Sequence, residues 1–162
     1  MNISQIKERI GTKKALLYVL TFLILIFIWS NSFDHPNESY AKSNKVLEVV
    51  SSWLSDLLGP ENTLTVFFKS HVRKIAHFTE YLLLGTAVTT GMKLSRKMKI
   101  QHFYNSLSFA VIAAVIDEFI QIYTFRGSSV RDVVIDFAGY FTGTVLVLLV
   151  LSVKILVETR NK

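Results

Sequence analysis

The sequence predicts an all-α integral membrane protein: a four-helix bundle with an extracytoplasmic amphipathic helix between spans one and two. Three observations carry this expectation. Apolar runs of span-like length fall at about 15–30, 73–92, 102–123 and 132–153. Lys and Arg collect in short clusters at the ends of these runs, as membrane flanks do. Between the first two runs, about 45–58 repeats apolar residues at helical spacing. With 51% hydrophobic residues and a mean hydropathy of +0.40, the chain is more apolar than a soluble domain, and 162 residues suit a single domain over 1–162.

Composition also excludes several classes. There is no cysteine, so disulfides and thiolate metal sites are ruled out. The net charge of +6 sits at helix flanks instead of forming a basic patch, which argues against a nucleic-acid partner. No Gly-rich phosphate loop, internal repeat or low-complexity tract is present, and no cofactor is expected.

The first span follows a basic start with Lys7, Arg9, Lys13 and Lys14. It resembles a signal peptide but lacks a small-residue cleavage site, so a retained helix is expected. Residues 31–44 read as a loop because of Pro36 and several Asn and Ser. Over 45–58, Val46, Leu47, Val50, Trp53, Leu54, Leu57 and Leu58 share one face, opposite Lys45, Glu48, Ser52, Ser55 and Asp56. Such a helix lies in the membrane interface or caps the bundle, and Gly59-Pro60 ends it. Asn62 is expected to cap a short turn carrying Leu64, Val66, Phe67 and Phe68.

The second span opens with Arg73, Lys74, His77, Glu80 and Tyr81; Arg73, His77, Glu80, Tyr81 and Leu84 share one helix face. A basic link, 93–99, leads to the third span, which stays apolar until Asp117 and Glu118, with Gln121 one turn later. A short turn centred on Gly127 joins it to the fourth span, which carries Asp132 and Asp136 in its first turns and a GxxxG pair, Gly139 and Gly143. That pair predicts close approach of another helix.

Charge sets the orientation. The termini and the 93–99 link hold 11 of the 18 Lys and Arg against two acids, Glu8 and Glu158; the opposite side holds seven basic against ten acidic residues. The positive-inside rule then puts both termini in the cytoplasm. It also brings one polar set to the outer side: Arg73, Lys74, His77, Glu80, Tyr81, Asp117, Glu118, Gln121, Arg126, Arg131, Asp132 and Asp136. Charges next to hydrocarbon persist only where they pair or serve a site.

The segments RKIAHFTEYLLLG (73–85), DEFIQ (117–121), Arg126 and DVVIDFAGYFTG (132–143) resemble the VanZ-like family of small bacterial membrane proteins. The resemblance covers spans two to four. It implies an integral protein of the bacterial cell membrane, in a family named for teicoplanin resistance. The family pattern often has Asn at the place of Asp136, so an acid there adds a charge.

Several roles fit the polar set. In a structural role, Arg–carboxylate pairs fix helix register, and Asp132 and Asp136 profit from the helix dipole. As a binding pocket, Arg73, Lys74, Arg126 and Arg131 hold a phosphate or carboxylate while the acids and Gln121 hold hydroxyls or amines. The partner would be a membrane lipid, a lipid-linked wall precursor or a glycopeptide. As an enzyme, His77, Glu80, Asp117 and Glu118 are the acid–base candidates for a lipid-linked substrate. A metal held by these same four residues is a weak expectation, because one His with scattered acids lacks zinc-like spacing, and none is assigned. Transport is disfavoured, because the inner halves of the spans lack polar residues.

Overall fold

The computed structural model describes residues 3–94 and 99–161, among which there are five helices: α1 (Ile3–Ser32), α2 (Pro36–Leu58), α3 (Thr63–Leu94), α4 (Ile100–Tyr123) and α5 (Val130–Arg160). Of the basic link, Arg96 and Lys97 lie outside the described residues, as do the side chains of Lys7 and Arg9 and the terminal Lys162.

Among the described residues, three stretches are long and apolar enough to cross a bilayer: Gly11–Ser32, Ile100–Tyr123 and Val130–Arg160. The first of them, 22 residues long, spans about 33 Å at 1.5 Å per residue, matching a hydrocarbon core of about 30 Å. Their outward surfaces are of the kind lipid covers: Leu16, Phe22, Ile112, Phe119, Val150 and Leu156 are all exposed. α3 is not among the three, because His77, Glu80 and several threonines dilute its apolar content. It touches each of the other four helices and is the central element.

The most extensive contact in the molecule is between α3 and α5. Glycines make it possible. A Cβ at Gly139 would overlap the carbonyl oxygen of Phe78, one at Gly85 that of Tyr140, and one at Gly143 that of Leu82. The GxxxG pair thus packs on α3, joined by a glycine from the opposite helix. Tyr81, Leu84, Tyr140 and Ile28 fill the core with Ala110, Ala113 and Ala114, and Trp29 Nε1 donates to Ala113 O at 3.3 Å. Two buried polar pairs lie within the packing: Thr89 with Thr144 at 3.1 Å, and Ser106 with Tyr140 at 2.5 Å.

Three local expectations are corrected. Residues 36–44 are helical, so α2 starts at Pro36 and not near 45. Pro36 occupies a first-turn position, where its missing N–H costs nothing, and Glu38 follows in the same turn. Residues 63–68 are not a separate turn but the start of α3, with Asn62 Oδ1 accepting from Leu64 N at 2.9 Å. At the α4–α5 link the turn falls at Thr124 and Phe125, with Phe125 left-handed (φ 56°), and is not centred on Gly127. Along α2, Leu47, Val50 and Leu54 are half-buried while Val49, Trp53 and Leu57 are exposed, and the helix packs against α3.

Candidate functional site

α1 ends in Trp-Ser-Asn-Ser, and its last two polar residues begin the site. Ser32 is fully buried and its Oγ donates to Asp117 Oδ1 at 2.7 Å. Gln121, one turn along α4, donates through Nε2 to Asp117 Oδ2 and to Glu118 Oε1, both at 3.2 Å. Glu118 Oε2 in turn accepts from Ser129 N at 2.7 Å, and Ser129 is the residue that caps α5. The pair Asp117–Glu118 therefore ties α1 to the start of α5.

The left-handed turn at Phe125 returns the chain over the end of α4, where Arg126 N donates to Gln121 O at 3.0 Å. This aims Arg126 back across the bundle: its Nη1 donates to Asn31 O at 2.6 Å. Asn31 Nδ2 donates to Glu80 Oε1 on α3 at 2.9 Å, and Thr124 Oγ1 to Ser32 O at 3.1 Å. Burial, and next the positive charge of Arg73, lower the Arg126 pKa below its ordinary value. A guanidinium nonetheless stays protonated at neutral pH.

Between α1, α2, α3 and Arg126 lies a cleft of about 390 Å³. Its polar lining comprises Asn31, Asp34, Ser39, Lys42, Ser43, Arg73, His77, Glu80 and Arg126. Lys42 pairs with Asp34 at 2.6 Å. Arg73 sits over the Tyr40 ring at 5.7 Å. Among the described residues neither Arg73 nor Arg126 is ion-paired with a carboxylate, and the Nε of each is buried without a hydrogen-bond partner. The Arg–carboxylate pairing expected of a purely structural cluster does not form around these two residues.

Deeper in the bundle the imbalance reverses. His77 Nδ1 lies 3.6 Å from Asp117 Oδ2 and 3.6 Å from Asp136 Oδ1. Asp136 is fully buried, with both carboxylate oxygens lacking a hydrogen-bond partner among the described residues. Asp117 lies six residues before the end of α4 and Asp136 six residues after the start of α5, each about 9 Å along its helix. The two acids therefore meet at one depth.

The predicted residues divide accordingly. Arg73, His77, Glu80 and Arg126 meet at the cleft; Asp117, Glu118, Gln121 and Asp136 gather behind it. Tyr81 is buried in the core with its hydroxyl unpartnered. Lys74 and Arg131 are exposed and do not line the cleft, and neither does the half-buried Asp132. Nothing in the sequence marks Asn31, Ser32 and Ser129, because short polar residues at a span end read as ordinary interface, and Lys42 falls in the stretch that reads as a loop. A second cleft of about 360 Å³ lies near the other end of the bundle, lined by Tyr18, Thr21, His102, Asn105 and Ser106 among others.

The VanZ/LLP1 family model matches residues 15–151 of the chain. No curated protein and no solved structure matches it.

Proposed function

The chain belongs to the VanZ/LLP1 family, and on that premise we propose that it works at the cell envelope, binding a phosphate-bearing lipid headgroup in the Arg73–Arg126 cleft. The anionic lipid or lipid-linked wall precursor enters from the extracytoplasmic leaflet. α3 serves as the fourth span, both termini are cytoplasmic, and the distribution of Lys and Arg supports that orientation.

One observation carries the reading. Two guanidinium groups line one cleft and, among the described residues, neither is ion-paired with the carboxylates that share it: Asp34 pairs with Lys42, and Glu80 accepts from Asn31. Unpaired buried Arg is costly to a fold, and a bound phosphate satisfies it with bidentate, charge-assisted hydrogen bonds. α2, exposing Val49, Trp53 and Leu57, forms an interfacial wall along which a lipid chain can lie. An influence on teicoplanin susceptibility would follow from occupancy by wall precursor.

The test is lipid binding in nanodiscs, comparing phosphatidylglycerol and undecaprenyl phosphate with phosphatidylcholine. Charge-assisted hydrogen bonds contribute about 1.5–3 kcal/mol, so Arg73→Gln and Arg126→Gln should each weaken anionic-lipid binding about 10- to 100-fold. Lys74→Gln and Arg131→Gln, both outside the cleft, should leave it unchanged. Equal effects from all four variants would reduce the attraction to general surface charge and reject the cleft.

A second reading rests on its own observation: His77 both lines the cleft and lies between two carboxylates. A membrane enzyme would use it as acid or base on a lipid-linked substrate. Turnover of undecaprenyl pyrophosphate that disappears in His77→Gln, with lipid binding retained, would establish it.

A further inference from the structure

Behind the cleft, α3, α4 and α5 each contribute one potential ligand to a common point. His77 Nδ1, an oxygen of Asp117 and an oxygen of Asp136 all lie within 4.8 Å of one another. Two further observations point to a missing partner. Asp136 is fully buried, yet both of its oxygens lack a donor, and His77 Nδ1 is buried and without a hydrogen bond as well. Asp117 differs: Ser32 Oγ holds its Oδ1 and Gln121 Nε2 its Oδ2. Outer hydrogen bonds of that kind orient metal-ligating carboxylates. Among the described residues no Lys or Arg is ion-paired with Asp117 or Asp136; His77 alone is close enough.

We propose that His77, Asp117 and Asp136 bind one divalent transition-metal cation at the junction of α3, α4 and α5. The donor set selects the ion class. One imidazole nitrogen with two carboxylate oxygens suits Zn²⁺, Mn²⁺ or Fe²⁺, whereas Mg²⁺ and Ca²⁺ favour all-oxygen sites. Spacing agrees with this. An ion about 2.1 Å from each of two tetrahedral ligands holds them about 3.4 Å apart, close to the 3.6 Å separating His77 Nδ1 from each acid. A cation there supplies the positive charge that the buried acids lack. Three protein ligands also leave a fourth position open. Because His77 lines the cleft, the ion would sit next to the proposed phosphate site without depending on it.

The set weighed from sequence, His77, Glu80, Asp117 and Glu118, shares His77 and Asp117 with this one but not Asp136. Glu80 is held by Asn31, and Glu118 by Gln121 and Ser129, which leaves Asp136 as the free acid.

The test starts with the full chain purified in detergent, its metal content read by elemental mass spectrometry. The protein is then stripped with EDTA and titrated separately with ZnCl₂, MnCl₂ and MgCl₂. Expected are one Zn²⁺ or Mn²⁺ per chain, a higher Tm on reloading, and much weaker binding of Mg²⁺. Asp136→Asn and His77→Gln should each lower transition-metal affinity at least 10-fold; His71→Gln, whose ring stacks on Phe67, should not. If either site variant fails to fold, electron paramagnetic resonance of Mn²⁺ in the unaltered chain decides the matter: nitrogen coupling from one imidazole supports the site, and its absence overturns it. Absence of stoichiometric metal before stripping and after titration overturns it too. Arg73→Gln should retain metal while losing lipid, so failure of the headgroup reading and failure of the metal site remain distinguishable.

Discussion

Gly139→Ala is the substitution that most sharply connects the packing to the site. Its added Cβ would overlap the Phe78 carbonyl oxygen and lie 3.0 Å from Phe78 C and 3.1 Å from its Cα. These are backbone atoms of a neighbouring helix, so no rotamer change relieves the clash. α5 must instead move away from α3 by about 1 Å, and overpacking of this kind costs about 1–3 kcal/mol. Asp136 precedes Gly139 by less than one helical turn and would move with it, away from His77. The assay is thermal unfolding in detergent, followed by metal titration of the folded variant. At about 2–4 °C per kcal/mol for a chain of this size, Tm should fall by several degrees, and metal affinity should fall as well. Gly91→Ala is the comparison, since its Cβ would meet nothing within 4 Å; it should be neutral or raise Tm slightly, given the helix preference for Ala over Gly. An unchanged Tm and unchanged metal affinity in Gly139→Ala would refute the claim that glycine contact sets the position of α5.

Ser32→Ala removes the donor to Asp117 Oδ1 and leaves a buried carboxylate short of a partner. It should destabilise the chain by about 1–3 kcal/mol, read as a lower Tm; restoration by Ser32→Thr would assign the loss to the hydroxyl. Tyr140→Phe breaks the buried contact with Ser106 and should cost about 1 kcal/mol. Neither residue lines the Arg73–Arg126 cleft, so lipid affinity should stay at its original value.

Much of the site could be read from residue types, because charge beside hydrocarbon is conspicuous. His77, Asp117 and Asp136 stand out in otherwise apolar helices, and Gly139 and Gly143 announce a close helix contact. The finer pairing could not be read. Glu80, Glu118 and Asp136 are equivalent as buried acids until Asn31 and Ser129 claim the first two. Those partners belong to a span end and a turn, where Asn and Ser are common for many reasons. The start of α2 was hidden for a similar cause: Asn37, Ser39, Ser43 and Asn44 resemble a loop, although α2 packs against α3 and its Ser39 is buried. At the α4–α5 link, Gly127 marks the turn by residue type, yet the turn falls at Thr124 and Phe125, where Arg126 N bonds back to Gln121 O.

The headgroup cleft can be tested in a labelling experiment that the cysteine-free sequence makes possible. Ser43 lines the cleft alongside Arg73 and Arg126. A Ser43→Cys variant in nanodiscs is treated with a water-soluble maleimide, and its labelling rate is followed as phosphatidylglycerol or undecaprenyl phosphate replaces phosphatidylcholine. Anionic lipid should slow labelling, and the protection should disappear when Arg73→Gln is added. Equal labelling rates in anionic and zwitterionic membranes would contradict it.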